Sequence, residues 1–278
     1  MTKLRVLSSL ILAPLAIAAM FFLPTPWLVA LVAVMFLAGL WEWFALAEID
    51  DTLARTFLLV ANLLLMVALV WGSQSATGGT LVLFRIATVV GVIWWLLAAL
   101  WLTRYDFASD HDTHARALKL AAGTLAVIPA WCALALIHAE RPFGNRWLLV
   151  ALAIVWSADT GAYFAGRAFG KHKLSPRISP NKTVEGLGGG MLAGLTAGVL
   201  GGWIAGASLQ QLPLVALVTF IVVLFSVIGD LFESLLKRHV GAKDSGHLIP
   251  GHGGILDRID SVLAALPVFA LGKAWLGF

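Results

Sequence analysis

Between Ser226 and Ser261 the sequence gathers Asp230, Glu233, Asp244, Asp257 and Asp260 with Lys237, Arg238, Lys243 and Arg258, and interleaves His239, His247 and His252. The chain as a whole is 60% hydrophobic and only 12% charged. Ionisable side chains held in such apolar surroundings are costly, so a concentration of them marks a site of function. Carboxylates set against lysines and arginines can hold a hard cation and polyanionic phosphates together. The chemistry that layout serves is phosphoryl or nucleotidyl transfer.

The first half of this stretch closes an apolar run from about Leu214 and reads as the last turns of a helix. Ser226, Asp230, Glu233, Ser234 and Lys237 fall at i, i+4, i+7, i+8 and i+11, one face of that helix. Asp230 lies about 10 Å below the helix end at 1.5 Å per residue. At that depth a bare carboxylate would cost several kcal/mol, so it needs a cation or a hydrogen-bonded partner. The second half is a glycine-rich loop, Pro250-Gly251-His252-Gly253-Gly254, feeding an apolar run that opens with Asp257 and Asp260. Those two are i and i+3 and leave one side of a first helical turn. Facing Asp230 across a helix pair, they would form a hard-oxygen pocket suited to Mg²⁺. Gly253 and Gly254 let backbone amides approach a phosphate closely. His252 reads either as a phosphate or pyrophosphate contact or as a packing residue of the loop.

A second set lies upstream. Asp159, Tyr163, Gly166 and Arg167 occupy one helix face, with Asp159 about 12 Å from Arg167 along the axis, a depth like that of Asp230. Two carboxylates at one level suggest one site, the alternative being a polar contact between helices. The basic loop from Lys171 to Lys182 follows. Ser179 before Pro180 predicts an N-cap and a helix starting there. Its amides, with Lys173, Arg177 and Lys182, would bind an anion, and phosphate is the natural guest. Asp159 and Glu185 would orient Lys182 or hold a second cation. Gly186, Gly190, Gly194, Gly198, Gly202 and Gly206 then recur every fourth residue. This smooth stripe lets another helix approach, and it winds about 40° per repeat, so it suits an angled crossing.

These residues must be positioned by membrane-spanning helices. Mean hydropathy is +0.92 over 278 residues, and apolar runs predict an all-α, polytopic bundle of about nine spans. They centre on residues 5–23, 27–48, 56–72, 80–102, 117–138, 147–168, 184–206, 212–237 and 259–276. We read one membrane domain over 1–278, in which 1–146 carries little motif content and 147–278 is the catalytic half. The first run resembles a signal peptide but leads at once into another span, so it reads as uncleaved. The basic residues segregate to one side when the N-terminus is placed in the cytosol, leaving Arg141, Arg146 and Lys273 outside and Arg85 in or near a span. The net charge of +4 would thus sit on the cytosolic face, toward anionic lipid and nucleotide phosphates. Cys132 stands alone within a span, which excludes an intramolecular disulfide. Glu42, between two tryptophans near a cytosolic span end, reads either as a partner of the site or as a snorkelling side chain. His111 and His114, flanked by Asp110 and Asp112, read as a solvated loop more readily than as a metal site.

Ser234, Lys237-Arg238, Lys243-Asp244, Pro250, His252-Gly253-Gly254, Asp257-Arg258 and Asp260, at these spacings, resemble the signature of phosphatidate cytidylyltransferases. Asp159-Thr160-Gly161-Ala162-Tyr163 and Ser179-Pro180-Asn181-Lys182-Thr183-Val184-Glu185-Gly186 also look like motifs of that family, with Asn181 where a lysine is the commoner residue. The resemblance covers the chain from Trp156 onward. It implies a multi-pass enzyme of the inner membrane that joins CTP to phosphatidic acid in the cytosolic leaflet, yielding CDP-diacylglycerol and pyrophosphate. It further implies a metal centre at Asp230 and Asp257, with Mg²⁺ and K⁺ as its ions, and a homodimer. On this reading Asp230, Lys237, Arg238, Lys243, Asp244, His252 and Arg258 are catalytic. Asp230, Asp257 and Asp260 are the metal ligands. Lys173, Arg177, Lys182, Ser234, Gly253, Gly254, Asp159, Tyr163 and Glu185 bind substrate, and nothing calls for nucleic acid.

Three other readings compete. A non-catalytic lipid-binding or scaffold protein would not explain opposed carboxylates beside a basic glycine loop. The same chemistry on another phosphorylated membrane lipid would use the same residues. An ion-coupled transporter would also carry intramembrane carboxylates, but these cluster toward one face, and no inverted repeat accompanies them.

Overall fold

The computed structural model describes residues 14–75, 81–246 and 253–278. Nine helices and one two-stranded hairpin make up its regular structure among those residues. Helix α1 covers residues 14–22, and the rest of the predicted first span lies outside the described residues. The helices that follow are α2 (Thr25–Leu46), α3 (Thr52–Ser75), α4 (Val82–Leu102), α5 (Thr113–Ala139) and α6 (Gly144–Phe169). Strands β1 (Lys173–Ser175) and β2 (Ser179–Thr183) precede α7 (Val184–Ala205), α8 (Leu212–His239) and α9 (Leu256–Leu276). Eight of the described helices, α2 to α9, are long and apolar enough to cross a membrane. The protein is an integral membrane protein.

Helices α5 and α9 are the most buried and form the centre of the bundle, while α3 is peripheral. Each central helix contains a proline, Pro129 and Pro267. Gly91 of α4 accommodates both, since a Cβ there would stand 2.4 Å from Pro129 and 3.4 Å from Pro267. Phe232 of α8 is fully buried among Trp43, Trp94, Trp95 and Trp101, with ring centroids 5.3 to 6.1 Å away. Such aromatic contacts are geometrically specific. They fix the rotation of α8 one residue before Glu233, and so decide where its polar side chains point.

The tightest pair is α6 with α7. Gly186 and Gly190 lie against the backbone of α6, where added Cβ atoms would stand 3.0 Å from the Ala162 carbonyl and 2.8 Å from that of Ala158. Further along, Gly198 and Gly202 face Thr219 and Val215 of α8. The stripe thus passes from one neighbour to the next as it winds, which is the angled crossing its four-residue period predicts. Gly206 leaves the helix as its C-cap at φ 115°, a left-handed conformation that glycine adopts at no steric cost.

The predicted start of the seventh helix at Ser179 is corrected here. Residues 179–183 form β2, paired antiparallel with β1 through Lys173–Thr183 and Ser175–Ser179. The helix starts at Val184, and its N-cap is Thr183, whose hydroxyl accepts from the Gly186 amide at 3.0 Å. Proline restricts the residue before it to extended conformations, and an edge strand tolerates its missing N–H. Ser179-Pro180 therefore fits this strand as well as it fits a cap.

Candidate active site

The ends of α2, α4, α6 and α8 and the starts of α5, α7 and α9 meet at one pole of the bundle, beside the hairpin, as their cross-contacts show. Two charged clusters lie there. The first lines a cleft of about 670 Å³ between α6, the hairpin, α7 and α8. Asp159, Tyr163 and Arg167 line it from α6, Lys182 from β2, and Asp230 from α8, while Ala158, Val223 and Val227 supply apolar wall. Lys182 Nζ stands 2.5 Å from Asp230 Oδ2. The Ser234 hydroxyl donates to Asp230 Oδ1 at 3.3 Å, and Arg167 donates to the Tyr163 hydroxyl at 3.1 Å. Asp159 is within electrostatic range of both Asp230 and Lys182. The sequence expectation that Asp159 and Asp230 share one level is met by this geometry.

The second cluster is built around Lys237. Its ammonium lies 2.7 Å from Asp257 Oδ1 as a hydrogen bond and 2.6 Å from Glu233 Oε2 as an ion contact without hydrogen-bond alignment. All three side chains are largely removed from solvent. Asp257 Oδ2 accepts from the amides of Ser245, at 3.1 Å, and Gly254, at 2.8 Å. The polar stripe read from α8 therefore forks. Asp230 and Ser234 turn toward the cleft, and Glu233 and Lys237 turn toward α9.

Asp260 lies between the clusters, within electrostatic range of Asp230, Glu233 and Asp159. The helices approach closely at this point, because a Cβ on Gly229 would stand 2.5 Å from the Asp260 carbonyl. Four carboxyl side chains, Asp159, Asp230, Glu233 and Asp260, against the two lysines Lys182 and Lys237 leave an excess of negative charge there.

The other predicted residues are dispersed around these clusters. Arg238 donates to the Ile178 carbonyl at 3.1 Å and so ties α8 to the hairpin turn. Arg177 pairs with Asp106 at 3.0 Å and lies over the Tyr105 ring at 4.1 Å, which joins the hairpin tip to the loop after α4. Lys173, Lys243, Asp244 and Arg258 are exposed near this pole. Glu185 does not reach Lys182. It accepts from the amides of Lys171 and His172 and meets the His172 ring at 2.6 Å, so it braces the entry to the hairpin. Gly253 adopts the left-handed conformation, with φ 81°, and Gly254 is buried. His252 lies outside the described residues.

Ser245 escaped the sequence reading, and Glu233 was placed only on the stripe. Of the two readings given for Glu42, the contacts favour the partner of the site over the snorkelling side chain, and it finds Ser245 and Leu256 across more than 200 residues of chain. A buried carboxylate between two tryptophans was the available signal for Glu42.

A bundle of membrane-spanning helices with paired carboxylates and lysines at one pole, beside a cleft with apolar walls, defines an integral membrane protein with a charged site at one end of its bundle. Sequence comparison places it more narrowly. The family described as the cytidylyltransferase family matches residues 3–274, and the chain belongs to it. It is similar to a phosphatidate cytidylyltransferase of Pseudomonas aeruginosa, with 40% identity covering 97% of this chain and 96% of that protein. A phosphatidate cytidylyltransferase of Haemophilus influenzae is 36% identical over 97% of this chain and 98% of its own. A Bacillus subtilis protein of the same name is 46% identical over 45% of this chain and 46% of its own.

Proposed function

We propose that this protein is a phosphatidate cytidylyltransferase, condensing CTP with phosphatidic acid to give CDP-diacylglycerol and pyrophosphate for phospholipid synthesis. The observation that carries this reading beyond the family is the cleft. Its polar groups, Asp159, Lys182 and Asp230, adjoin an apolar wall of α6, α7 and α8 residues, which suits a lipid whose phosphate must reach a charged site while its acyl chains stay in hydrocarbon.

The lipid phosphate is already an oxyanion near neutral pH and needs no strong base. One of its oxygens attacks the α-phosphorus of CTP, a new P–O bond forms, and the bond to the β-phosphate breaks. Pyrophosphate leaves with the electron pair. The barrier is the meeting of two polyanions, so catalysis rests on positioning and on fixed positive charge. Lys182 in the cleft and Lys237 across α8 are the inward cations, and Lys173, Arg177, Arg238, Lys243 and Arg258 surround them as phosphate-binding charge. Lys182 and Lys237 are held by carboxylates, so their ammonium groups are oriented before substrate arrives.

The donor set at the junction fits Mg²⁺, because it consists of carboxylate oxygens with excess negative charge. No group of three His, Cys, Asp or Glu side chains converges among the described residues. Mg²⁺ does not require one, since it is commonly bound by one or two carboxylates together with substrate phosphates and water. Asp230 and Asp260 would hold it, with Asp159 nearby, whereas Asp257, expected from the sequence as a further ligand, is occupied by the Lys237 ammonium and the Ser245 and Gly254 amides. When bound it supplies neutralisation of the triphosphate. K⁺ as a second ion and a homodimer belong to the same reading by family resemblance.

The charged pole is read as cytosolic and the membrane as the inner one. Arg55, Arg116, Lys119, Arg167, Lys182 and Lys237 lie toward this pole, and Arg85, Arg141, Arg146 and Lys273 toward the other, an asymmetry in the sense of the positive-inside rule. Pyrophosphate release by purified protein, given phosphatidic acid, Mg²⁺ and each nucleoside triphosphate in turn, tests the function. Release that depends on CTP, lipid and Asp230 is expected. Normal release by Asp230→Asn would overturn the site.

A further inference from the structure

Helix α9 begins at Leu256 without a capping side chain of its own, since its N-cap residue is Ile255. Its first amides would be left without partners, in a largely buried position where an unmade hydrogen bond is costly. Glu42 of α2 satisfies them. Its Oε1 accepts from the Ile255 amide at 3.1 Å and its Oε2 from the Leu256 amide at 2.8 Å. The same Oε2 accepts from the Ser245 hydroxyl at 3.0 Å. Glu42 is only 4% exposed. The fit is close on both sides, for a Cβ on Gly254 or Gly246 would stand 2.2 or 2.4 Å from its carboxylate oxygens.

Ser245 and Gly254 are the described residues that also donate their amides to Asp257. Glu42 and Asp257 therefore grip the same two chain segments from opposite helices. Glu42 sets where Ser245 and the first turn of α9 sit, and those amides in turn set the aim of the Asp257 carboxylate that holds Lys237. We propose that Glu42 is a positioning residue for the transfer reaction, acting through Ser245, the α9 N-terminus and Asp257 on the Lys237 ammonium. This gives the N-terminal half of the chain a part in the site, and it rests on the function proposed above.

Glu42→Gln keeps the shape but offers one acceptor oxygen to three donors, and turns its own NH₂ toward an amide or hydroxyl donor. Outer-shell changes of this kind cost about 10- to 100-fold in activity. The test uses full-length protein in detergent, with turnover per folded molecule, KM for phosphatidic acid, and amide hydrogen exchange at Ser245 and Gly254 to Leu256. For Glu42→Gln we expect kcat to fall about 10- to 100-fold, with KM for the lipid little changed because Glu42 does not line the cleft, and exchange at those amides to accelerate. Ser245→Ala should show a smaller loss, and the double variant should be no worse than Glu42→Gln alone. Ser245→Ala also carries the test if Glu42→Gln does not fold. Wild-type kcat per folded molecule in both variants, or unchanged exchange, would overturn the proposal. If the wild type releases no pyrophosphate from CTP, the functional reading fails, while the exchange measurement still decides whether Glu42 anchors these segments.

Discussion

Lys182 and Asp230 meet at 2.5 Å in the cleft, and their pairing joins β2 to α8. Both side chains keep partial access to solvent, with 25% and 31% exposure, so the contact is open to an incoming phosphate. Lys182 is thus a cation presented by a strand rather than by a helix end, and the hairpin is what delivers it.

Lys182→Met removes this charge without opening a large void. We expect turnover to fall about 100-fold or more, the usual scale for deleting one preorganised group that stabilises developing charge. Steady-state pyrophosphate release, with folding checked by gel filtration, measures it. Wild-type kinetics would remove Lys182 from the site.

Lys237 has a structural duty as well. Two carboxylates, Glu233 and Asp257, depend on it, and removing one partner of a buried ion pair costs about 3 to 5 kcal/mol. Lys237→Ala should lower thermal stability in detergent and abolish activity together. Adding Glu233→Gln should restore part of the stability and none of the activity. Restoration of both would mean that Lys237 serves only the fold.

The spans and the glycine stripe were legible because hydropathy and a four-residue period are local signals. Asp159, Tyr163 and Arg167 were legible for the same reason, since three residues of one helix share a face wherever that helix lies. The forking of the α8 stripe was not. It depends on the tryptophans that surround Phe232, and these come from α2 and α4. The hairpin at 173–183 was hidden because Ser-Pro suits both a helix start and a strand. Glu42 was seen as a carboxylate in the membrane, but its partners are set by how α2 meets α9, which no local pattern encodes.

Glu48, in the turn after α2, meets His111 at 2.5 Å and the wholly buried Lys119 at 3.4 Å. Burial alone would raise its carboxyl, but the hydrogen bond from His111 and the Lys119 charge outweigh that and hold it below its ordinary value of 4.5. A carboxylate depressed in the folded state stabilises the fold above its unfolded value, and loses that contribution as pH falls through the folded one. Melting temperature should therefore drop as pH is lowered below the ordinary value of 4.5. Glu48→Gln should be less stable than wild type at pH 7, and the two should converge at the acid end. Parallel curves across that range would remove Glu48 as the group responsible.

The α6–α7 contact makes a sharp demand on side-chain size beside the cleft. Gly190 tolerates no Cβ, since one would stand 2.8 Å from the Ala158 carbonyl, whereas Gly188 two residues earlier has nothing within 4 Å. Gly190→Ala must push α7 away from α6 and with it the helix start that follows Lys182. Overpacking of this kind costs about 1 to 3 kcal/mol. Gly188→Ala meets open space in a helix interior and should be neutral or stabilising by about 0.5 to 1 kcal/mol, the helix-propensity gain of alanine over glycine. Because the cleft is bounded by the same two helices, Gly190→Ala should also raise KM for phosphatidic acid, while Gly188→Ala leaves it unchanged. Equal behaviour of the two variants in thermal melting and in KM would show that the stripe serves spacing in name only, and that α6 and α7 are free to separate without disturbing the site.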